Sequence, residues 1–178
     1  MSIPSHPSVQ DATSRFSERK AVILLLDITG TTKIVTSLAP LHFAAFLDEF
    51  YKLCARQVER AGGEVVEYPG DAALAMFDED GAVAAVEAVH AIREAFQEVC
   101  AAYGVQADIG ANLHLGDVVD GVFGPTAFRN VIGKAVYTTF RMGGGPGLRI
   151  SESVYRKLPS GARSPWKKQK AQVTYTLP

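Results

Sequence analysis

The sequence predicts an α+β sandwich with a mixed or antiparallel sheet, and three observations carry that prediction. A continuous apolar run over 20–27 suits a strand covered on both faces. Two long stretches, 38–60 and 80–103, repeat apolar residues at helical spacing. Short strand-like runs come in pairs between and after them, so hairpins separate the crossovers and a doubly wound parallel sheet does not fit. With 178 residues, 47% hydrophobic and 21% charged, the chain suits one domain, and disorder, collagen and coiled coil are excluded for its bulk.

Residues 1–19 hold two prolines and several serines without periodicity; they are expected to form a flexible leader ahead of a folded domain over 20–178. The first strand ends abruptly at Asp27, followed by Thr29-Gly30-Thr31-Thr32. The helix over 38–60 places Leu41, Ala45, Phe46, Phe50, Leu53, Cys54 and Val58 on one face, and Gly62-Gly63 stop it. Residues 64–68 and 72–77 read as two strands about the turn Pro69-Gly70-Asp71. The second helix, 80–103, has acids near its positive N-terminal end. Strands are expected at 107–115 and 118–123, a short helix at 131–142, a strand at 148–151, a helix at 152–158 and a last strand at 172–177.

Eighteen basic residues balance nineteen acidic ones, so no global charge draws the chain to nucleic acid or an anionic membrane. The longest apolar run, Ala21 to Leu26, is too short to cross a bilayer, and the N-terminus lacks an apolar signal core. Cys54 and Cys100 have no metal-type spacing and read as reduced core thiols. A cytoplasmic location is the expectation.

Two acids mark the candidate site. Asp27 ends the most hydrophobic strand and Asp71 occupies a tight turn, so each carboxylate lies close to buried backbone and needs a partner. Singly, each has an ordinary structural explanation: Asp27 as a helix N-cap, Asp71 as a turn residue. Together they can hold one or two Mg²⁺ or Mn²⁺ ions, which prefer hard oxygen ligands and fill their shells with phosphate oxygens. The backbone amides of Thr29-Gly30-Thr31-Thr32, at an expected helix start, suit an anionic phosphate. That combination points to nucleoside triphosphate chemistry.

Leu25-Leu26-Asp27-Ile28-Thr29-Gly30-Thr31-Thr32 resembles the first metal motif of class III nucleotide cyclases, and Glu67-Tyr68-Pro69-Gly70-Asp71 resembles the second. Leu113-His114-Leu115-Gly116 through Gly121-Val122-Phe123-Gly124 is similar to their central hairpin, and Asn130-Val131-Ile132-Gly133 through Arg141 to their base-reading and transition-state segment. The resemblance spans residues 20–178 and implies the ferredoxin-like sandwich of that catalytic domain. It also implies a reaction in which two ions, held by Asp27 and Asp71 with the Ile28 carbonyl, activate a ribose 3′-hydroxyl against the α-phosphate. Arg141 would steady the developing charge, and Lys167 would meet the triphosphate. A solvated charge run is the plain alternative for the lysines around Lys167, and a helix C-terminal cation for Arg141. Sites of this family form between two chains, so a homodimer with two sites is expected.

Tyr137 stands where the resemblance would put a ribose-orienting asparagine, and it is expected in that catalytic place beside Arg141. Lys134 and Thr31 depart from the pattern too. His114, between apolar neighbours, reads as a hydrogen-bonded core histidine.

Glu67 lies four residues before Asp71, a position that resembles the base-selecting one of guanylate rather than adenylate cyclases. A carboxylate accepts hydrogen bonds, so it pairs with guanine N1–H or uracil N3–H and faces lone pairs on adenine and cytosine. An exposed strand residue is its plain alternative. Asn130 would donate to the adjacent carbonyl of a lactam base. Extra volume from Tyr137 and Tyr68 favours the smaller ring. The expectation is therefore a uridylate cyclase, resembling the pyrimidine cyclases of the Pycsar anti-phage system, whose product a separate effector reads. Guanylate cyclase activity is one alternative, and a catalytically inactive nucleotide-binding or dimerisation module is the other.

Overall fold

The computed structural model describes residues 13–125, 127–169 and 174–177. Strand β1 (Phe16–Thr29) is followed by helices α1 (Thr31–Ser37) and α2 (Pro40–Arg60). The hairpin β2 (Glu64–Glu67) and β3 (Ala72–Asp78) leads into α3 (Ala82–Tyr103), then into β4 (Asp108–Phe123) and β5 (Phe128–Ile132). Helix α4 (Lys134–Phe140), strand β6 (Gly147–Ser151), helix α5 (Glu152–Lys157), a 3₁₀ turn (Ser160–Ala162) and strands β7 (Lys167–Gln169) and β8 (Thr174–Leu177) complete the order.

All eight strands join one sheet, ordered β2-β3-β1-β4-β6-β8-β7, with β5 hydrogen-bonded to the end of β4 on the edge opposite β1. Every pairing is antiparallel except β4 with β6. The expected α+β sandwich with a mixed sheet is what the chain forms.

Strand alternation divides the core in two. Val22, Leu24, Leu26 and Ile28 of β1 point to one face, where Phe46, Phe50 and Leu53 of α2 and Val89, Ile92 and Phe96 of α3 cover them. Ala21, Ile23 and Leu25 point to the other, together with Leu74 and Met76 of β3, Val118, Val131 and Ala135. Among the described residues only the short helix α4 packs on that second face, so they leave much of the sheet there open. Each long helix presents an apolar stripe to the sheet, and β1, buried on both faces over 21–26, has no room for polar residues until Asp27.

Three boundaries differ from expectation. The expected leader, 1–19, does not extend to residue 19: β1 begins at Phe16 and pairs residue by residue with β4, Phe16 opposite Gly121. Phe16 also packs against Phe123, the rings tilted with centroids 4.8 Å apart. This part of β1 is half-solvated, so it lacks the apolar run that marked the rest. Residues 1–12 lie outside the described residues, as do 172 and 173 of the expected last strand. The two strands expected at 107–115 and 118–123 are one strand, because Gly116 and Asp117 keep pairing with Ala21 and Lys20. The helix expected at 131–142 starts at Lys134, since Val131 and Ile132 belong to the β4–β5 ladder.

Candidate active site

Asp27 is the last acid-bearing position of β1, paired across the sheet with Ala72, the residue after Asp71. The amide of Ile28 donates to the Asp71 carbonyl at 3.3 Å, so the two motifs are joined by backbone. Tyr51 of α2 donates its hydroxyl to the Gly70 carbonyl. Tyr68 donates to the Tyr51 carbonyl at 3.3 Å, its ring 4.4 Å from the Tyr51 ring. The turn that carries Asp71 is thus held from the helix side.

Burial raises the Asp27 carboxyl above its ordinary value of 3.8, and the Asp71 charge raises it further. A carboxylate whose ionisation is opposed by burial and by a neighbouring acid is what a divalent cation relieves. Among the described residues no group of three or more His, Cys, Asp or Glu side chains gathers to hold a metal, so any ion here would complete its shell with carbonyl, substrate or water oxygens. The Ile28 carbonyl accepts the Thr31 hydroxyl at 2.8 Å and keeps a second lone pair. The donor set fits Mg²⁺ or Mn²⁺.

Gly30, not Asp27, is the N-cap of α1, with φ of 95°, a left-handed conformation that glycine adopts freely. Thr31 and Thr32 open that helix and, with Tyr51, Gly70 and Asp71, line a depression on the α1–α2 side. Asp27 lines a separate cleft of about 510 Å³ with Leu25, Asn112, Arg141 and Arg149. Its floor is the open sheet face, where Asp27 pairs with Gly110 and Leu25 with Asn112. Its far wall is the loop after α4, whose Gly145 carbonyl lies directly over Gly110. Thr29 points its hydroxyl toward Gly110 as well, and that buried oxygen has no hydrogen-bond partner among the described residues.

Arg141 ends α4 and borders two depressions, the Asp27 cleft and a second one lined by His114, Tyr137, Ser151 and Glu152. Tyr137 is 63% exposed. Its hydroxyl accepts from Arg141 at 3.1 Å, and the guanidinium lies 5.4 Å from its ring centre. Tyr137 therefore acts on Arg141's orientation and does not line the Asp27 cleft. His114 is not the hydrogen-bonded core histidine expected: its Nδ1 is buried with no partner among the described residues. Burial and the nearby Lys134 lower its pKa.

Glu67, Asn130 and Lys167 line neither the Asp27 cleft nor the depression that holds Asp71. Glu67 follows a β-bulge in β2 that the sequence did not announce. Glu64 opposes Met76 and Glu67 opposes Leu74, so the extra residue turns Glu67 onto the same open face as Asp27. Asn130 alternates with Arg129 and Val131 along β5 and so faces the other way; its Oδ1 accepts from the Val131 amide at 2.7 Å. Lys167 is exposed on the short strand β7. The described chain places Asp27 and Arg141 on one cleft and Asp71 with Thr31 and Thr32 on the neighbouring depression, the two joined by the Ile28–Asp71 backbone hydrogen bond. It does not gather the base-reading and lysine positions with them.

Sequence reasoning passed over Arg149, Asn112 and Tyr51. None belongs to a motif, and each becomes visible only through pairing across strands or a contact from a distant helix.

The profile of the "Adenylate and Guanylate cyclase catalytic domain" family matches residues 15–174. An adenylate cyclase of Anabaena cylindrica is 30% identical over 157 residues, covering 80% of this chain and 31% of that protein. Adenylate cyclase 2 of Rhizobium meliloti is 28% identical over 135 residues, 71% of this chain and 37% of that one. The chain thus spans about a third of the length of these curated relatives. Among solved structures, the adenylyl cyclase CyaB from P. aeruginosa superposes with a TM-score of 0.79 at 17% identity, over 92% of this chain and 96% of that one. The guanylyl cyclase Cya2 gives 0.74 at 23% identity, over 91% and 93%.

Proposed function

The chain belongs to the adenylate and guanylate cyclase catalytic-domain family, and from that premise we propose that it is a metal-dependent uridylate cyclase, converting UTP to 3′,5′-cyclic UMP and pyrophosphate. A bond forms between the ribose 3′-oxygen and the α-phosphorus, the bond from that phosphorus to the β-phosphate bridge breaks, and the hydroxyl proton leaves to solvent. Divalent cations held by Asp27 and Asp71, with the Ile28 carbonyl, would acidify the hydroxyl and neutralise phosphate charge. The chain's own contribution is placement. The hydrogen bond from Ile28 to Asp71 holds the two acids in register, and the amides at Thr29–Thr32 offer donors to phosphate oxygens. Arg141, oriented by Tyr137, supplies a planar cation to the α-phosphoryl group, and Lys167 a mobile one to the phosphate tail.

The observation that carries the base preference is Glu67, turned by the β2 bulge onto the face of Asp27. Its carboxylate accepts from a ring N–H and rejects adenine and cytosine, with Asn130 donating to the neighbouring carbonyl. Tyr68 follows Glu67 in the chain and pairs with Tyr51 on the α2 side of the turn; the smaller pyrimidine ring is the base of this proposal. GTP is the second reading: Glu67 and Asn130 suit guanine equally, and Tyr137 projects to solvent and removes no volume from the cleft.

Because Glu67, Asn130 and Lys167 do not line the Asp27 cleft in one chain, the proposal includes a homodimer in which a second copy completes each site. Exposed Val122, Phe128, Ile132 and Phe140 give β4, β5 and α4 an apolar surface for that contact. One similar solved structure is described as a non-canonical dimeric guanylyl cyclase domain. A pyrimidine product read by a separate effector, as in Pycsar-type anti-phage signalling, is the finest part of the proposal and rests on the base preference alone.

The test is to incubate the purified protein with each of the four nucleoside triphosphates and Mn²⁺ and to separate the products by mass. Cyclic UMP is expected. Cyclic GMP alone removes the uridylate reading and leaves the cyclase; no cyclic product from any substrate leaves an inactive nucleotide-binding or dimerisation module.

A further inference from the structure

Arg149 sits in the third residue of β6, paired with Asn112 of β4, which is itself paired with Leu25 of β1. Two strand spacings, about 10 Å, separate its column from that of Asp27, and both side chains line the same cleft. Among the described residues its hydrogen bonds go to backbone carbonyls of the loop after α4: Gly145 at 3.1 Å, Pro146 at 3.4 Å, and Gly144. A guanidinium has five N–H donors, so two remain unused among the described residues.

No carboxylate partners Arg149 among the described residues, whereas Arg19, Arg93, Arg129 and Arg156 each meet at least one. A half-buried cation without a counter-charge is costly unless a ligand supplies the charge; burial indeed lowers the pKa of this group. Its neighbour Asn112 is 5% exposed. Nδ2 of Asn112 ties the same loop by donating to the Thr139 and Gly143 carbonyls at 3.1 and 2.9 Å. Its Oδ1 is buried without a donor among the described residues. The pair therefore holds the loop in place and still leaves Arg149 with charge to offer the cleft.

We propose that Arg149 is a second substrate-binding cation of the Asp27 cleft, taking oxygens of the polyphosphate chain while its remaining N–H groups fix the glycine-rich wall. This rests on the nucleoside triphosphate reading of the same cleft. Arg141 and Arg149 then flank the chain from the two ends of one loop, Arg141 nearer the reacting phosphorus and Arg149 along the tail. An interaction between a guanidinium and a charged oxygen shifts affinity by roughly tenfold to a hundredfold.

The experiment measures binding of inorganic tripolyphosphate with Mg²⁺ to the full chain by calorimetry, for the wild type, Arg149→Gln and Arg149→Lys, alongside their melting temperatures. Arg149→Gln should weaken binding at least tenfold with its melting temperature unchanged. Wild-type affinity in Arg149→Gln overturns the proposal and leaves the residue a loop clamp. If Arg149→Gln also melts early, Arg149→Lys decides. Binding within about threefold of wild type supports a charge contact, and a loss equal to that of glutamine overturns it. The readout needs no turnover, so failure of the wild type to make a cyclic nucleotide in the four-substrate assay would be a separate result.

Discussion

The amide of Ile28 donates to the carbonyl of Asp71 across 3.3 Å. Through that one bond, the end of the most buried strand and the tip of a hairpin turn forty residues later become a single rigid unit. Asp27 and Asp71 cannot separate without breaking the β1–β3 ladder, so the burial that raises the Asp27 carboxyl and the Asp71 charge that adds to it are built in and wait for a cation.

Mn²⁺ should therefore stabilise the wild type. At a hundredfold excess over its dissociation constant the gain is about 2.7 kcal/mol, roughly 5–10 °C in melting temperature for a domain of this size. Asp27→Asn and Asp71→Ala should lose most of that shift and reduce cyclisation to background. Differential scanning fluorimetry with and without the ion, beside a product assay, checks both. A full metal shift in Asp71→Ala would place the ion elsewhere.

Glu67→Lys should exchange an acceptor for a donor at the base edge. Selectivity should move away from lactam bases and toward ATP by roughly tenfold to a hundredfold, the cost of leaving a buried polar group unpaired. Competition among the four substrates at equal concentration reads it directly. An unchanged product ratio would make Glu67 the plain exposed strand residue that its sequence also allows.

Much of this was legible in the chain order. The run over 20–27, the two amphipathic helices and the turn at Pro69-Gly70-Asp71 each carry a local signal, and each forms where expected. The placement of Glu67 was not legible, because a bulge depends on which residues of β3 it faces and leaves no mark in Val65-Val66-Glu67. The start of β1 at Phe16 was hidden for a related reason: its pairing with β4 on a half-solvated edge needs no apolar run. Arg149 and Asn112 meet only because β4 and β6 run parallel, a pairing that no spacing along the chain encodes.

Asp120 tests the electrostatics away from the cleft. Its hydrogen bonds to Arg129, and more weakly the charge of Arg19, hold its carboxyl below the ordinary 3.8. A depressed carboxylate stabilises the fold above its unfolded value and loses that contribution as pH falls through its folded one. Arg129→Ala should cost about 1 kcal/mol at pH 7, modest because Arg129 is half exposed. The difference from wild type should shrink steadily below about pH 4. Urea melts at pH 7, 4 and 3 would show it; a cost that grows in acid contradicts the assignment.

Arg141→Ala should lower kcat by roughly 10²–10³-fold, the usual loss of one charge-stabilising donor in a transition state, with a smaller change in KM. Tyr137→Phe removes the hydroxyl that accepts from Arg141 at 3.1 Å but keeps the ring beneath the guanidinium. It should cost much less than Arg141→Ala. Equal losses would give Tyr137 a direct part in the chemistry.

The cleft wall supplies the last prediction. A Cβ at Gly110 would lie 2.4 Å from the Gly145 carbonyl oxygen and 3.3 Å from its carbon, and the obstacle is backbone that no rotamer change can clear. Gly110→Ala must push the loop outward, against the bonds from Asn112 and Arg149 that hold it. Overpacking of this kind costs about 1–3 kcal/mol. Because the loop follows Arg141 directly, its displacement should also raise KM for the triphosphate. Gly144→Ala is the matched control: it lies in the same loop with nothing within 4 Å of its would-be Cβ, so its melting temperature should stay near wild type. If both variants melt alike, the close contact between β4 and the loop is not what shapes the cleft.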